Sequence, residues 1–206
     1  MAKLCYNCGK PATTKDHIPP KCLFPKGTRG HLITVPSCRD CNESMALDDQ
    51  YFAAFLAVHW NNSPAALRVW NETVRPQLRR ADFQGLRKRF AASAKPIWLP
   101  SRGGFVQTGV LVGEDDRLDS SIRKIIKGLY HNHVLSPVRP SDEIHVYYPV
   151  EDPLLEVAKR ANLVTVHEEV FQYRYAIAES EPVVSIWWLL FYRNILVVGA
   201  TGPAEC

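Results

Sequence analysis

The stretch "VPSCRDCNESMALDDQYF", residues 35–52, runs a Cys-x-x-Cys knuckle straight into a segment with helical spacing. Met45, Leu47, Phe52, Phe55, Leu56 and His59 recur mostly three or four residues apart, and neither Gly nor Pro occurs from Asn42 to Trp60. That pattern predicts a helix from about Asn42 to Trp60. Its N-terminus would sit on Cys38 and Cys41, where the helix dipole favours thiolate charge. A second knuckle, Cys5-x-x-Cys8, lies 29 residues upstream. Cys5, Cys8, Cys38 and Cys41 together predict a four-thiolate tetrahedral zinc site, structural because no coordination position is left open. Cys22 and Cys206 fall outside the pattern and are expected to be ordinary thiols.

The chain has 206 residues, 46% hydrophobic and 22% charged, which suits a globular protein with a core. The net charge is +4, mildly basic. The excess is local: residues 61–95 hold eight Lys or Arg against two acids. Arg68, Arg75, Arg79, Arg80, Arg87, Lys88 and Arg89 form either a solvated helix face or a phosphate-contacting surface. The N-terminus lacks the apolar run of a signal peptide. The longest apolar stretch, "VVSIWWLLFY" at 183–192, is half the roughly twenty residues a membrane span needs. A cytoplasmic protein without a membrane partner is expected, and in a reducing compartment the knuckles read as metal ligands rather than disulfides.

Residues 1–60 carry too few apolar side chains before Tyr51 for a core of their own, so metal is expected to supply their stability. They form the first expected unit, and 61–206 the second. Ser63-Pro64 reads as a helix start, Pro76 as an interruption, and residues 77–94 as a further helix. Two strands are expected within 95–113. Ile122, Ile125, Ile126 and Leu129 mark an amphipathic helix starting near Asp119. The last third reads as an antiparallel meander, with Tyr192-Arg193-Asn194 as a tight turn. Of Trp187 and Trp188, one should face the core and the other a second surface. An exposed tryptophan there would provide a homodimer or partner site. The fold class is therefore α+β.

Between the knuckles lies "TTKDHIPPKCLFP", residues 13–25, with the adjacent pair Asp16-His17. Closing the knuckles would bring this pair toward Asn42, which follows the last cysteine. By itself the pair also suits a turn, with His17 hydrogen-bonded beside the zinc. The combination of "DHIPPKCLFP" and "VPSCRDCN" resembles the HNH endonucleases of the His-Me finger, or ββα-metal, superfamily. The resemblance covers about residues 5–50.

It implies a treble-clef-like zinc finger that cleaves nucleic acid, DNA favoured. His17 would be the general base, while Asp16 and Asn42 would hold a catalytic Mg²⁺ or Mn²⁺. Helix geometry sets Asp49 two turns on from Asn42 on about the same face, where it either reaches that ion through water or is simply solvated. Hard oxygen ligands suit such an ion, and a neutral histidine suits proton abstraction from water. The sequence departs from the family pattern at His31 and Thr34, neither of which aligns with its usual orienting residue, and at Ala46, which cannot bind metal. Two alternatives remain open: a non-catalytic nucleic-acid-binding zinc module, and a protein-interaction module using Trp187 and Trp188. The literal triplet His131-Asn132-His133 ends a predicted helix and matches the family only in its letters.

Overall fold

The computed structural model describes residues 3–58, 63–111, 113, 115–137, 142–149 and 155–203. His59, Trp60 and Cys206 lie outside them.

The chain opens with the first knuckle and then a two-stranded antiparallel hairpin, β1 (Thr14–Ile18) and β2 (Ile33–Ser37), which pairs His17 with Thr34 and Asp16 with Val35. A 3₁₀ turn at Lys21–Leu23 lies in the connection, and the Ile18–Pro19 peptide is cis. Strand alternation sends Asp16 and Ile18 into the core, while Lys15 and His17 take the other side.

The long helix expected from Asn42 is two helices, α1 (Arg39–Ser44) and α2 (Ala46–Ala57), that meet at Met45. It begins earlier than expected because the Cys38 thiol caps it, accepting the Cys41 backbone N–H at 3.4 Å. The Ser44 hydroxyl bonds back to the Cys41 carbonyl at the break, a competing contact of the kind that bends helices.

Ser63 caps α3 (Pro64–Val69) through the Ala66 N–H, as expected. The irregularity assigned to Pro76 lies just upstream of it. A wide π turn at Trp70–Val74 feeds α4 (Arg75–Leu78), where Pro76 occupies a first-turn position that needs no N–H. A 3₁₀ turn at Ala81–Phe83 leads into α5 (Gln84–Ser93). Strands β3 (Ala94–Ser101) and β4 (Gly104–Leu111) then pair as a hairpin.

Helix α6 (Asp115–Val134) runs between the finger and the main sheet. That sheet contains β5 (Asp142–Tyr147), β6 (Asn162–His167), β7 (Phe171–Ile177), β8 (Ser185–Phe191) and β9 (Ile195–Pro203), all antiparallel, in the order β5-β9-β8-β7-β6. A short helix, α7 (Leu155–Arg160), precedes β6. The turn after β8 holds Tyr192 and Arg193 at positive φ.

Trp187 and Trp188 take opposite faces, as alternation requires. Trp187 stacks on Tyr175 in the main core. Trp188 packs with Ala158 and Val198 on the far face. Both are buried, so neither provides the exposed tryptophan of a partner surface.

The two units expected to divide near residue 60 share one core. Tyr6, Ile18, Leu23 and Phe24 of the finger join Ile122, Ile125, Leu129 and Phe191 in a single buried cluster. Phe52 meets Phe191 edge to face, and the Tyr192 hydroxyl donates to the Leu23 carbonyl at 2.7 Å.

Candidate functional site

The four knuckle sulfurs converge. Cys5, Cys8, Cys38 and Cys41 place their Sγ atoms within 4.8 Å of one another, the one set of three or more metal-binding side chains of the His, Cys, Asp and Glu types brought together among the described residues. Ligands at about 2.3 Å in a tetrahedron stand about 3.8 Å apart. Cys8 and Cys38 are separated by 3.7 Å. The donor set therefore fits zinc. At Cys5 burial works against the thiolate, but backbone hydrogen bonds at Cys38, Asn7 and Cys8 outweigh it and lower the thiol to about 6, whereas burial and the neighbouring thiols push Cys41 up to about 12. Lys127 of α6 reaches this corner and donates to Asn7 Oδ1 at 3.1 Å.

On the other edge of the finger is a pocket of about 250 Å³. Its lining brings together every residue expected at the catalytic site: Asp16, His17, Asn42 and Asp49, with Lys15, Lys21 and Gln50 beside them. Burial, then Lys21, lowers the His17 pKa below the ordinary histidine value, so its imidazole is neutral at neutral pH. The Asn42 amide nitrogen ties the start of α1 to β1, donating to Thr14 Oγ1 and to the Lys15 carbonyl, each at 3.3 Å. Cys22 donates weakly to the Asp49 carbonyl, and burial pushes its thiol up to about 12, as fits an inert cysteine.

Asp16 is committed to protein donors. Its Oδ2 accepts the Tyr6 hydroxyl at 2.9 Å and lies 3.1 Å from Lys124 Nζ, and its Oδ1 accepts the His17 backbone N–H at 2.8 Å. A carboxylate offers about four acceptor directions, and three are used. Lys124 also pairs with Asp49 Oδ2 at 2.7 Å. Burial opposes the ammonium charge, but the two carboxylates outweigh it and raise the lysine above its ordinary value. Burial raises Asp49 to about 6 despite that partner. Asp49 Oδ1 and Gln50 Oε1 are buried with no hydrogen-bond partner among the described residues.

The divalent ion expected between Asp16 and Asn42 would have to share Asp16 with the Lys124 ammonium, which already holds its Oδ2. An ion on Asp16 Oδ2 at about 2.1 Å would lie at most roughly 5 Å from the Lys124 ammonium. At an effective dielectric near 20, a double and a single positive charge at that separation repel by about 7 kcal/mol, which weakens the ion's hold on the carboxylates.

Sequence reasoning missed Tyr6, Lys124 and Lys127. The available signal was the stripe Ser121, Lys124, Gly128 at three-to-four spacing, beside the Ile stripe of α6. Small residues there admit a second packed element, and a Cβ on Gly128 would overlap the Ile18 side chain of β1.

The basic residues of 68–89 are all exposed. Arg68 pairs with Glu72 and donates to the Lys26 carbonyl, and Arg80 pairs with Asp82. Helix α3, which carries Arg68, packs on the 3₁₀ turn that carries Lys21. A larger cavity of about 390 Å³ lies around Trp188 and Leu196, lined mostly by apolar groups and remote from this chemistry. Near the literal triplet, His133 Nε2 bonds the Tyr173 hydroxyl at 2.8 Å, so that histidine belongs to the core.

Comparison with known proteins finds no match to a family model, a curated protein or a solved structure. Among the described residues no helix is long and apolar enough to cross a membrane.

Proposed function

We propose that the chain hydrolyses phosphodiester bonds of nucleic acid, DNA favoured, as an HNH-type endonuclease on a zinc-stabilised ββα finger. One observation carries this reading: a neutral His17 shares a pocket with Lys15, Lys21 and Asn42, on a hairpin-helix unit whose cysteines are arranged for zinc. His17 takes a proton from water as the water oxygen bonds to phosphorus. The bond from phosphorus to the leaving oxygen then breaks, and that oxygen takes a proton back from imidazolium or solvent. Lys15 and Lys21 offset the charge growing on the phosphate oxygens. Arg68, Arg75, Arg79, Arg80, Arg87, Lys88 and Arg89 contact the backbone of the bound strand, so affinity falls with salt. No step is assigned to Mg²⁺ or Mn²⁺.

A second reading is a nucleic-acid-binding zinc module without catalysis. The structural commitments of Asp16 and Asn42 favour it, since both side chains already hold the finger together. The test is cleavage of plasmid, single-stranded DNA and RNA by wild type and His17→Ala, with and without divalent ions. Cleavage that the substitution abolishes supports hydrolysis. Equal background in both proteins, with salt-sensitive binding retained, leaves the binding module.

A further inference from the structure

Lys124 is 3% exposed and stands on the face of α6 turned to the finger. Gly128, one turn on, is the residue that lets β1 approach this closely, because any side chain would strike Ile18. The ammonium then sits between Asp16 and Asp49, the two carboxylates from which a metal site would be built. Tyr6 completes the shell around Asp16. A lysine this buried is stable only when its charge is paired, and here both partners are provided.

We propose that Lys124 is the resident cation of the site. Its ammonium pairs with both Asp16 and Asp49, fixes the strand that carries His17, and occupies the place a divalent ion would take. It touches no substrate and acts as a positioning residue. The cleavage proposed above therefore proceeds without Mg²⁺ or Mn²⁺, and this part of the inference rests on that reading.

The test uses full-length, zinc-loaded protein and Mn²⁺ as the probe, with bound ion measured by electron paramagnetic resonance. Wild type should show no saturable Mn²⁺ binding. Lys124→Gln, which keeps the bulk but not the charge, should gain one site per chain, at least about a hundredfold tighter, because a unit charge near the ion is gone. Saturable wild-type binding as tight as that of the variant overturns the proposal. Where Lys124→Gln does not fold, wild type decides by its melting temperature: no rise with Mn²⁺ supports the resident lysine, and a saturable rise overturns it.

Cleavage separates the two ideas. Activity that depends on His17 and persists in divalent-free buffer supports both. Activity that depends on His17 and appears only with Mn²⁺ overturns the resident cation and leaves the nuclease. No cleavage under any condition removes the nuclease, and the binding measurement still judges Lys124.

Discussion

Replacing Lys124 with Met should be among the most damaging single substitutions in the chain, and its cost should depend on pH in a defined way. The variant leaves two buried carboxylates without their shared partner. Asp16 keeps the Tyr6 hydroxyl and the His17 N–H. Asp49 loses the ammonium at 2.7 Å while its Oδ1 is already unpartnered. Breaking a buried pair from one side costs about 3–5 kcal/mol. For a chain of this size that lowers the melting temperature by about 6–20 °C.

The sign follows from both partners. The folded pKa of Asp49 lies above its unfolded value of 3.8, at about 6, so ionising it costs stability as pH rises through that window. Lys124 is raised above 10.5, so its contribution is complete below that value and is lost as pH rises past it. Removing the lysine raises Asp49 further. The gap between wild type and variant should therefore be widest from neutral pH to about pH 9 and should shrink toward about pH 5, where Asp49 is protonated in both. Urea melts of the two proteins at matched pH, with zinc present, measure the difference while shared terms cancel. A gap below about 1 kcal/mol, the range of an exposed pair, would refute the reasoning. So would a gap that does not change between pH 5 and 8.

Three further outcomes follow from the same geometry. Lys127→Gln removes a cation that sits near the Cys41, Cys5 and Cys8 thiolates and bonds Asn7, so zinc should be released to a competing chelator about tenfold more readily, read by a colorimetric zinc indicator. Gly128→Ala forces a methyl group onto Ile18 and should cost about 1–3 kcal/mol in a denaturant melt, and an unchanged midpoint would deny the close approach of α6 to β1. For cleavage, the acid limb of the pH-rate profile should fall below the ordinary histidine value, since burial and Lys21 hold His17 neutral, and a limb above that value would point to another base.

Sequence made some of this plain and hid the rest for physical reasons. The knuckles were legible because a tetrahedral metal site takes four ligands at close quarters, and Cys-x-x-Cys steps supply them in pairs. The convergence of Asp16, His17 and Asn42 on one pocket was legible for the same reason, since joining the knuckles fixes the loop between them. Trp187 and Trp188 were legible from strand alternation. The break at Met45 was not, because it depends on a Ser44 hydroxyl choosing a backbone partner. The π turn before Pro76 was not, because periodicity cannot distinguish an i→i+4 hydrogen-bond step from an i→i+5 step over so short a run.

The role of α6 was hidden for a different reason. Its Ile stripe accounts for one face, and amphipathic logic assigns the opposite face to water. Lys124 on that face looks solvated by the usual rule for lysine. The face instead packs on the finger, and α6 is covered on both sides, by the sheet through Ile126 against Gly199 and by β1 through Gly128 against Ile18. A lysine on such a helix must find carboxylates, and among the described residues it pairs with Asp16 and Asp49. The pairing thus binds the finger to the rest of the fold by charge as well as by the shared core. It also takes one of the acceptor directions that a metal could use on Asp16.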